Sequence, residues 1–100
     1  MDRIRLLRNP IRDYAWGSRS ALAELTGRPA PTPTPEAELW MGAHPAAPSE
    51  VRADSGWVSL PDWIQRDPET LLGVETARRF AAELPFLFKV LAPERALSIQ

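Results

Sequence analysis

Two apolar runs near the end of the chain, Phe86-Leu-Phe-Lys-Val-Leu91 and Ala96-Leu-Ser-Ile-Gln100, are separated by the turn-like break Ala92-Pro-Glu-Arg95. A β-hairpin through this break sets Leu91 opposite Ala96, Val90 opposite Leu97 and Phe88 opposite Ile99, which makes one face wholly apolar. Because successive side chains alternate, the other face sets Lys89 opposite Ser98 and Leu87 opposite Gln100. A slip of one residue would scatter the polar groups among the apolar ones, so the pattern selects this register. A lysine, a hydroxyl and an amide gathered on an otherwise apolar hairpin have the make-up of a site.

A chain of 100 residues is one small domain or a piece of a larger one. Its 44% hydrophobic and 25% charged residues are those of a globular protein, and a net charge of −1 gives no general attraction to nucleic acid or membrane. The absence of cysteine excludes disulfides and thiolate metal sites. No apolar run approaches the roughly 20 residues of a membrane-spanning helix, and the N-terminus has no export signal, so the expected location is cytoplasmic. The chain stops within its strongest predicted strand. A strand left without a far-side partner predicts an N-terminal fragment of a longer polypeptide, whose remainder completes the fold.

Along the chain, the alternation of Arg3 and Arg5 with Ile4 and Leu6 predicts a half-buried strand over 3–8, and Ile11–Trp16 a second extended segment. Ser18 or Ser20 caps a short helix over Ala21–Leu25, with Leu22 and Leu25 on its inner face and Gly27 as its stop. Proline at every second position from Pro29 to Pro35 forbids helix or central strand and predicts an extended surface connection. Glu38–Gly42 reads as a strand, and Val51 begins another that turns at Asp54-Ser-Gly56 into Trp57–Leu60. Pro61–Gln65 is a short helix. Asp67-Pro68 starts another that Gly73 ends, and Glu75–Leu84 is a third that buries Phe80, Ala81 and Leu84. The expected class is mainly β with short helices, placed near 18–26 and 61–84.

Among single residues, Lys89 reads either as a site lysine or as a strand-edge lysine reaching water. Gln100, on spacing alone, is a satisfied core amide. His44, the single histidine, cannot form a conventional zinc site by itself and is expected to pack or cap its loop. The four tryptophans are expected mostly as core anchors, with Trp16 at a short turn as an alternative floor for a sugar. Arg3, Arg5, Arg8 and Arg12 read as a solvated strand edge.

Three stretches nevertheless form a recognisable set: Tyr14-Ala-Trp-Gly-Ser18; Ala37-Glu-Leu-Trp-Met-Gly-Ala-His-Pro45 with Ala47-Pro-Ser49; and Leu84-Pro-Phe-Leu-Phe-Lys-Val-Leu91 running to Leu97-Ser-Ile-Gln100. In this order they resemble the type I mannose-6-phosphate isomerases over the whole chain. The resemblance implies a cupin-type β jelly roll with an inserted helical region, of which residues 1–100 would be the N-terminal part of the catalytic domain. It also implies an enzyme that interconverts mannose 6-phosphate and fructose 6-phosphate around one zinc ion. In that family the Ser-Ile-Gln stretch runs into a small residue and His-Pro, and the glutamine ligates zinc.

Gln100 is thus the implied metal ligand, while the remaining ligands and the catalytic base would lie beyond residue 100. Lys89 and Ser98 match substrate-pocket positions near the phosphate, and Trp16 and Glu38 match residues lining the same cavity. His44 matches a motif position that is not a ligand. The sugar phosphate is the expected partner, and nucleic acid and membrane are not expected. A reading of another class keeps the fold without the chemistry: a non-catalytic, cupin-like carbohydrate-binding module with Trp16 and Trp40 stacked on a sugar.

Overall fold

The structure, a computed structural model, describes residues 4–95. Its elements run β1 (Leu7–Arg8), β2 (Ile11–Arg12), α1 (Ala21–Leu25), β3 (Glu38–Gly42), β4 (Glu50–Ala53), β5 (Gly56–Ser59), α2 (Leu60–Arg66), α3 (Pro68–Leu72), α4 (Val74–Arg79) and β6 (Leu87–Leu91). The strands form two small sheets, ordered β1-β4-β5 and β2-β3-β6. The class is mainly β with short helices, as the sequence predicts. The chain divides into two compact units, residues 1–10 with 41–88 and residues 11–40 with 89–100.

The first unit is organised on the β4–β5 hairpin, which pairs Val51 with Val58 and Arg52 with Trp57. Asp54-Ser55 is its two-residue turn, as expected. Period-2 alternation buries Val51 and Ala53 while Arg52 faces out. β1 pairs antiparallel to β4, Leu7 against Val51 and Arg8 against Glu50. It is shorter than the predicted strand.

Buried Ser49 ties the unit together. Its Oγ donates to Asn9 Oδ1 at 2.7 Å and accepts from Gly42 N at 3.1 Å, and its carbonyl accepts from Leu60 N at 2.8 Å. Two helix starts follow their signals. Ser59 Oγ accepts from Asp62 N at 3.3 Å and Asp67 Oδ1 from Thr70 N at 3.4 Å, with Pro61 and Pro68 in the first turns.

The third helix of this unit corrects the expectation of Glu75–Leu84. α4 ends at Arg79, Phe80 and Ala81 are exposed, and Ala81 and Ala82 adopt left-handed φ of 53° and 60°. Ala82 N donates to Ala77 O at 2.7 Å, the long-range bond of a Schellman ending. Gln65 Nε2 also donates to Ala82 O at 2.8 Å. The position where glycine commonly ends a helix is filled by Ala81, so no stop signal shows in the sequence.

In the second unit, β2 pairs antiparallel to β3, Ile11 with Leu39 and Arg12 with Glu38. Leu22, Ala23, Ala37, Leu39, Trp40 and Ala92 form its core. α1 has the predicted span, but Leu25 is exposed and Ala23 takes its inner place. Ser20 holds the cap position, yet Ser18 Oγ accepts from the amides of Ser20 and Ala21, each at 3.1 Å. The proline-rich connection, expected to be extended and on the surface, instead bends at 30–31 and 33–34 and is not merely surface. Buried Thr32 exchanges bonds with Arg19, and Arg28 clasps Glu36 through two nitrogens at 3.0 and 2.6 Å.

β6 departs most from expectation. Phe88, placed by the hairpin pattern on an inner apolar face, is 62% exposed. The expected partner residues 96–100 lie outside the described residues. Within Ala92–Arg95, expected as a turn, the chain bends at Glu94–Arg95, and Ala92–Glu94 also bridges to Trp16–Ser18. Ala92 O accepts from Ser18 N at 2.7 Å, Glu94 N donates to Trp16 O at 2.9 Å, and Pro93 faces Gly17. Proline has no N–H, so the bonds fall on its two neighbours.

The tryptophans and arginines also correct the reading. Trp40 alone among the four tryptophans is buried. Trp57 lies under Arg8 at 4.4 Å and Arg52 at 5.8 Å, and Trp63 under Arg5 at 5.0 Å and Arg66 at 4.9 Å. Arg5 and Arg8 of the basic edge thus lie over ring faces, where the planar guanidinium packs as well as attracts, while Arg3 lies outside the described residues.

Candidate active site

β3 sets Glu38 and Trp40 on one face, because residues two apart in a strand project together. Trp40 is 7% exposed, and a buried indole needs an acceptor. It finds one two residues back: Trp40 Nε1 donates to Glu38 Oε1 at 2.7 Å. Lys89, from β6, brings its Nζ to 3.9 Å from the same oxygen and 4.4 Å from the centre of the Trp40 ring. At that distance the lysine and glutamate form an ion contact beyond hydrogen-bond reach. The Glu38 side chain is 13% exposed and that of Lys89 41%, so the carboxylate is sheltered and the ammonium open.

A second cation adjoins the cluster. The Arg12 guanidinium lies 5.2 Å from the Trp40 ring and 5.7 Å from the Tyr14 ring, and Arg12 Nε donates to Tyr14 Oη at 3.3 Å. Tyr14 in turn stacks on Trp16, with centroids 5.9 Å apart and planes 30° apart. Glu38 and Lys89, singled out by resemblance, are therefore adjacent. Trp16 connects to them through Tyr14 and Arg12. Ser98 and Gln100 lie outside the described residues.

The sequence did not mark Trp40 and Arg12 as members of this group. The one available signal was the Glu-x-Trp spacing on a strand, which places an acceptor beside an indole. Burial of Trp40 also removes it as an open platform for a stacked sugar.

His44 caps its own loop, as expected: Nδ1 accepts from Ala46 N at 3.0 Å. Among the described residues no three histidine, aspartate or glutamate side chains converge as a metal site. A concavity of about 790 Å³ in the first unit is lined by His44, Ile64, Gln65, Ala82, Phe86 and Leu87, among others, and not by Trp16, Glu38 or Lys89. Among the described residues no helix is long and apolar enough to cross a membrane.

The family described as phosphomannose isomerase type I, catalytic domain, matches residues 4–100. The mannose-6-phosphate isomerase of Escherichia coli K12 is 55% identical over 93 residues, covering 92% of this chain and 24% of that protein. Mannose-6-phosphate isomerase 2 of Arabidopsis thaliana is 38% identical over 113 residues, covering 99% of this chain and 25% of that protein. A crystal structure of the Salmonella typhimurium mannose 6-phosphate isomerase, bound to its substrate fructose 6-phosphate and to zinc, superposes with a TM-score of 0.82 at 48% identity. That match covers 94% of this chain and 24% of the other. The chain thus spans about a quarter of the length of the curated relatives it matches. A match of such extent and identity, joined to the three motif stretches, establishes that the chain belongs to the type I phosphomannose isomerases.

Proposed function

We propose that the protein carrying this chain is a zinc-dependent aldose–ketose isomerase that interconverts mannose 6-phosphate and fructose 6-phosphate in the cytoplasm. In this reading residues 1–100 are the N-terminal part of a cupin-type catalytic domain. The observation that carries it is the Glu38–Lys89 pair: two side chains from separate strands, singled out by the family motifs, lie 3.9 Å apart as an ion contact. The relatives named above are mannose-6-phosphate isomerases, one of them seen with fructose 6-phosphate and zinc.

The described residues support the metal only in part. They hold no converging ligand set of their own, so this stretch would contribute Gln100 through its amide oxygen while other parts of the protein supply the rest. Zinc, when bound, supplies Lewis-acid polarisation of the sugar's oxygens. The chain's own residues bind and orient. Lys89 offers a compact cationic donor to an oxygen of the sugar phosphate, assisted by Ser98, and the sheltered Glu38 carboxylate accepts from a sugar hydroxyl. Trp16 contributes a wall of the cavity. By itself the 100-residue chain is inactive, because one amide does not close a zinc site.

The test is mannose 6-phosphate isomerisation by the full protein. Chelation and Gln100→Ala should each abolish most of the activity, and Lys89→Ala should raise KM about tenfold or more, the scale of one lost hydrogen bond to a charged group. Activity that survives both chelation and Gln100→Ala refutes the metal assignment. An unchanged KM in Lys89→Ala refutes the substrate assignment.

A further inference from the structure

We infer that Trp40 is a positioning residue for the isomerase site, acting through Glu38 and Lys89 and not merely filling the core. The inference rests on the proposed isomerase reading. A core position on β3 needs volume, which leucine or phenylalanine would supply. An indole adds two directional features, and both are used here. The N–H meets Glu38 Oε1 at 2.7 Å, and the ring centre lies 4.4 Å from the Lys89 ammonium. The carboxylate and the ammonium are therefore held by one side chain as well as by each other.

The geometry needs that third member. Glu38 and Lys89 are 3.9 Å apart, too far for a hydrogen bond to fix their relative orientation. Without the indole N–H, Glu38 would be free to turn its carboxylate about the last torsion, which is broad for glutamate. Trp40 is itself 7% exposed and has Arg12 at 5.2 Å from its ring, so the holder is held. A residue that locks the rotamers of binding groups in this way preserves their geometry toward substrate.

A double-mutant cycle tests the idea in the full protein with mannose 6-phosphate as probe. Trp40→Phe keeps a ring face for Lys89 and most of the volume but removes the N–H. It should lower kcat/KM about tenfold, the scale of one hydrogen bond to a charged group. In a Glu38→Gln background the same change should cost less than about twofold, since the bond it removes is already weakened. Equal losses in both backgrounds, or no loss with Trp40→Phe, overturn the positioning role and leave a packing residue. If Glu38→Gln and Lys89→Met themselves leave kcat and KM unchanged, the site reading fails instead.

A second readout avoids activity and the folding of Trp40 variants. The Trp40 indole ¹⁵N–¹H resonance should shift on Glu38→Gln, while the other indole resonances stay in place. An unmoved Trp40 signal overturns the inference.

Discussion

Replacing Gly17 with alanine should damage the second unit far more than its small size suggests. An ideal Cβ at Gly17 would lie 2.5 Å from Ala37 N, 2.6 Å from Ala37 Cα and 2.7 Å from Glu36 C, all backbone atoms. The shortest of these is about 0.9 Å inside ordinary van der Waals contact. Ala37 has no room to yield. It is fully buried, its N donates to Arg12 O at 2.8 Å, and its O accepts from Ala92 N at 2.8 Å.

Moving Ala37 by that amount stretches both bonds past hydrogen-bond length. Moving Gly17 instead strains Ser18 N to Ala92 O, at 2.7 Å. With two backbone bonds lost or weakened at about 1–2 kcal/mol each, the cost is about 2–4 kcal/mol. Gly27→Ala is the matched control, because a Cβ there meets nothing within 4 Å and only its φ of 71° is penalised. That penalty is about 1 kcal/mol. Urea unfolding at unchanged m-value should show Gly17→Ala losing at least about twice what Gly27→Ala loses. Equal losses would show that steric approach at Gly17 does not hold the unit. Because Ala37 directly precedes Glu38, the variant should, on the proposed isomerase reading, also lower kcat/KM for mannose 6-phosphate in the full protein.

Two further outcomes follow from local chemistry. Ala81→Gly relieves a left-handed alanine worth about 1–2 kcal/mol but enlarges the unfolded ensemble by about 0.4–1 kcal/mol, so a net gain of about 0.5–1 kcal/mol is expected. A lower urea midpoint for this variant would contradict the Schellman ending. The Arg28 guanidinium, through its hydrogen bonds above all, holds the Glu36 carboxyl below the ordinary carboxylate range, with burial opposing and charge attraction adding to the effect. The depressed value means the stabilisation is present above about pH 4.5 and fades as pH falls through the folded-state value. The pair is partly solvated, so its worth is about 0.5–1 kcal/mol at most. Glu36→Gln should thus destabilise at neutral pH and converge with the parent in acid; a gap that persists at about pH 2 would contradict the assignment.

The features legible in the sequence were those encoded within a few residues. Ser59, Asp67 and Gly73 announce helix ends by side chain or by glycine, and Asp54-Ser-Gly56 announces a hairpin. β1 and β2 are two-residue strands whose extent is set by distant partners, so local alternation overstated the first. The end of α4 was hidden because Ala81 does a glycine's task. Period-2 alternation put Glu38 and Trp40 on one face, but a face does not tell which torsion brings an indole N–H onto a carboxylate. The assignment of Glu38 and Lys89 came from family motifs. Their adjacency belongs to the pairing of β3 with β6, which no local pattern encodes.

The arginine-capped tryptophans have a practical consequence. Trp57 and Trp63 are covered by cationic lids and not by a deep interior. Guanidinium chloride carries the same flat cation as those lids and competes for the ring faces directly. Urea has no charge with which to do so. Comparing the two denaturants would therefore reveal how much of the molecule's cohesion resides at its rim.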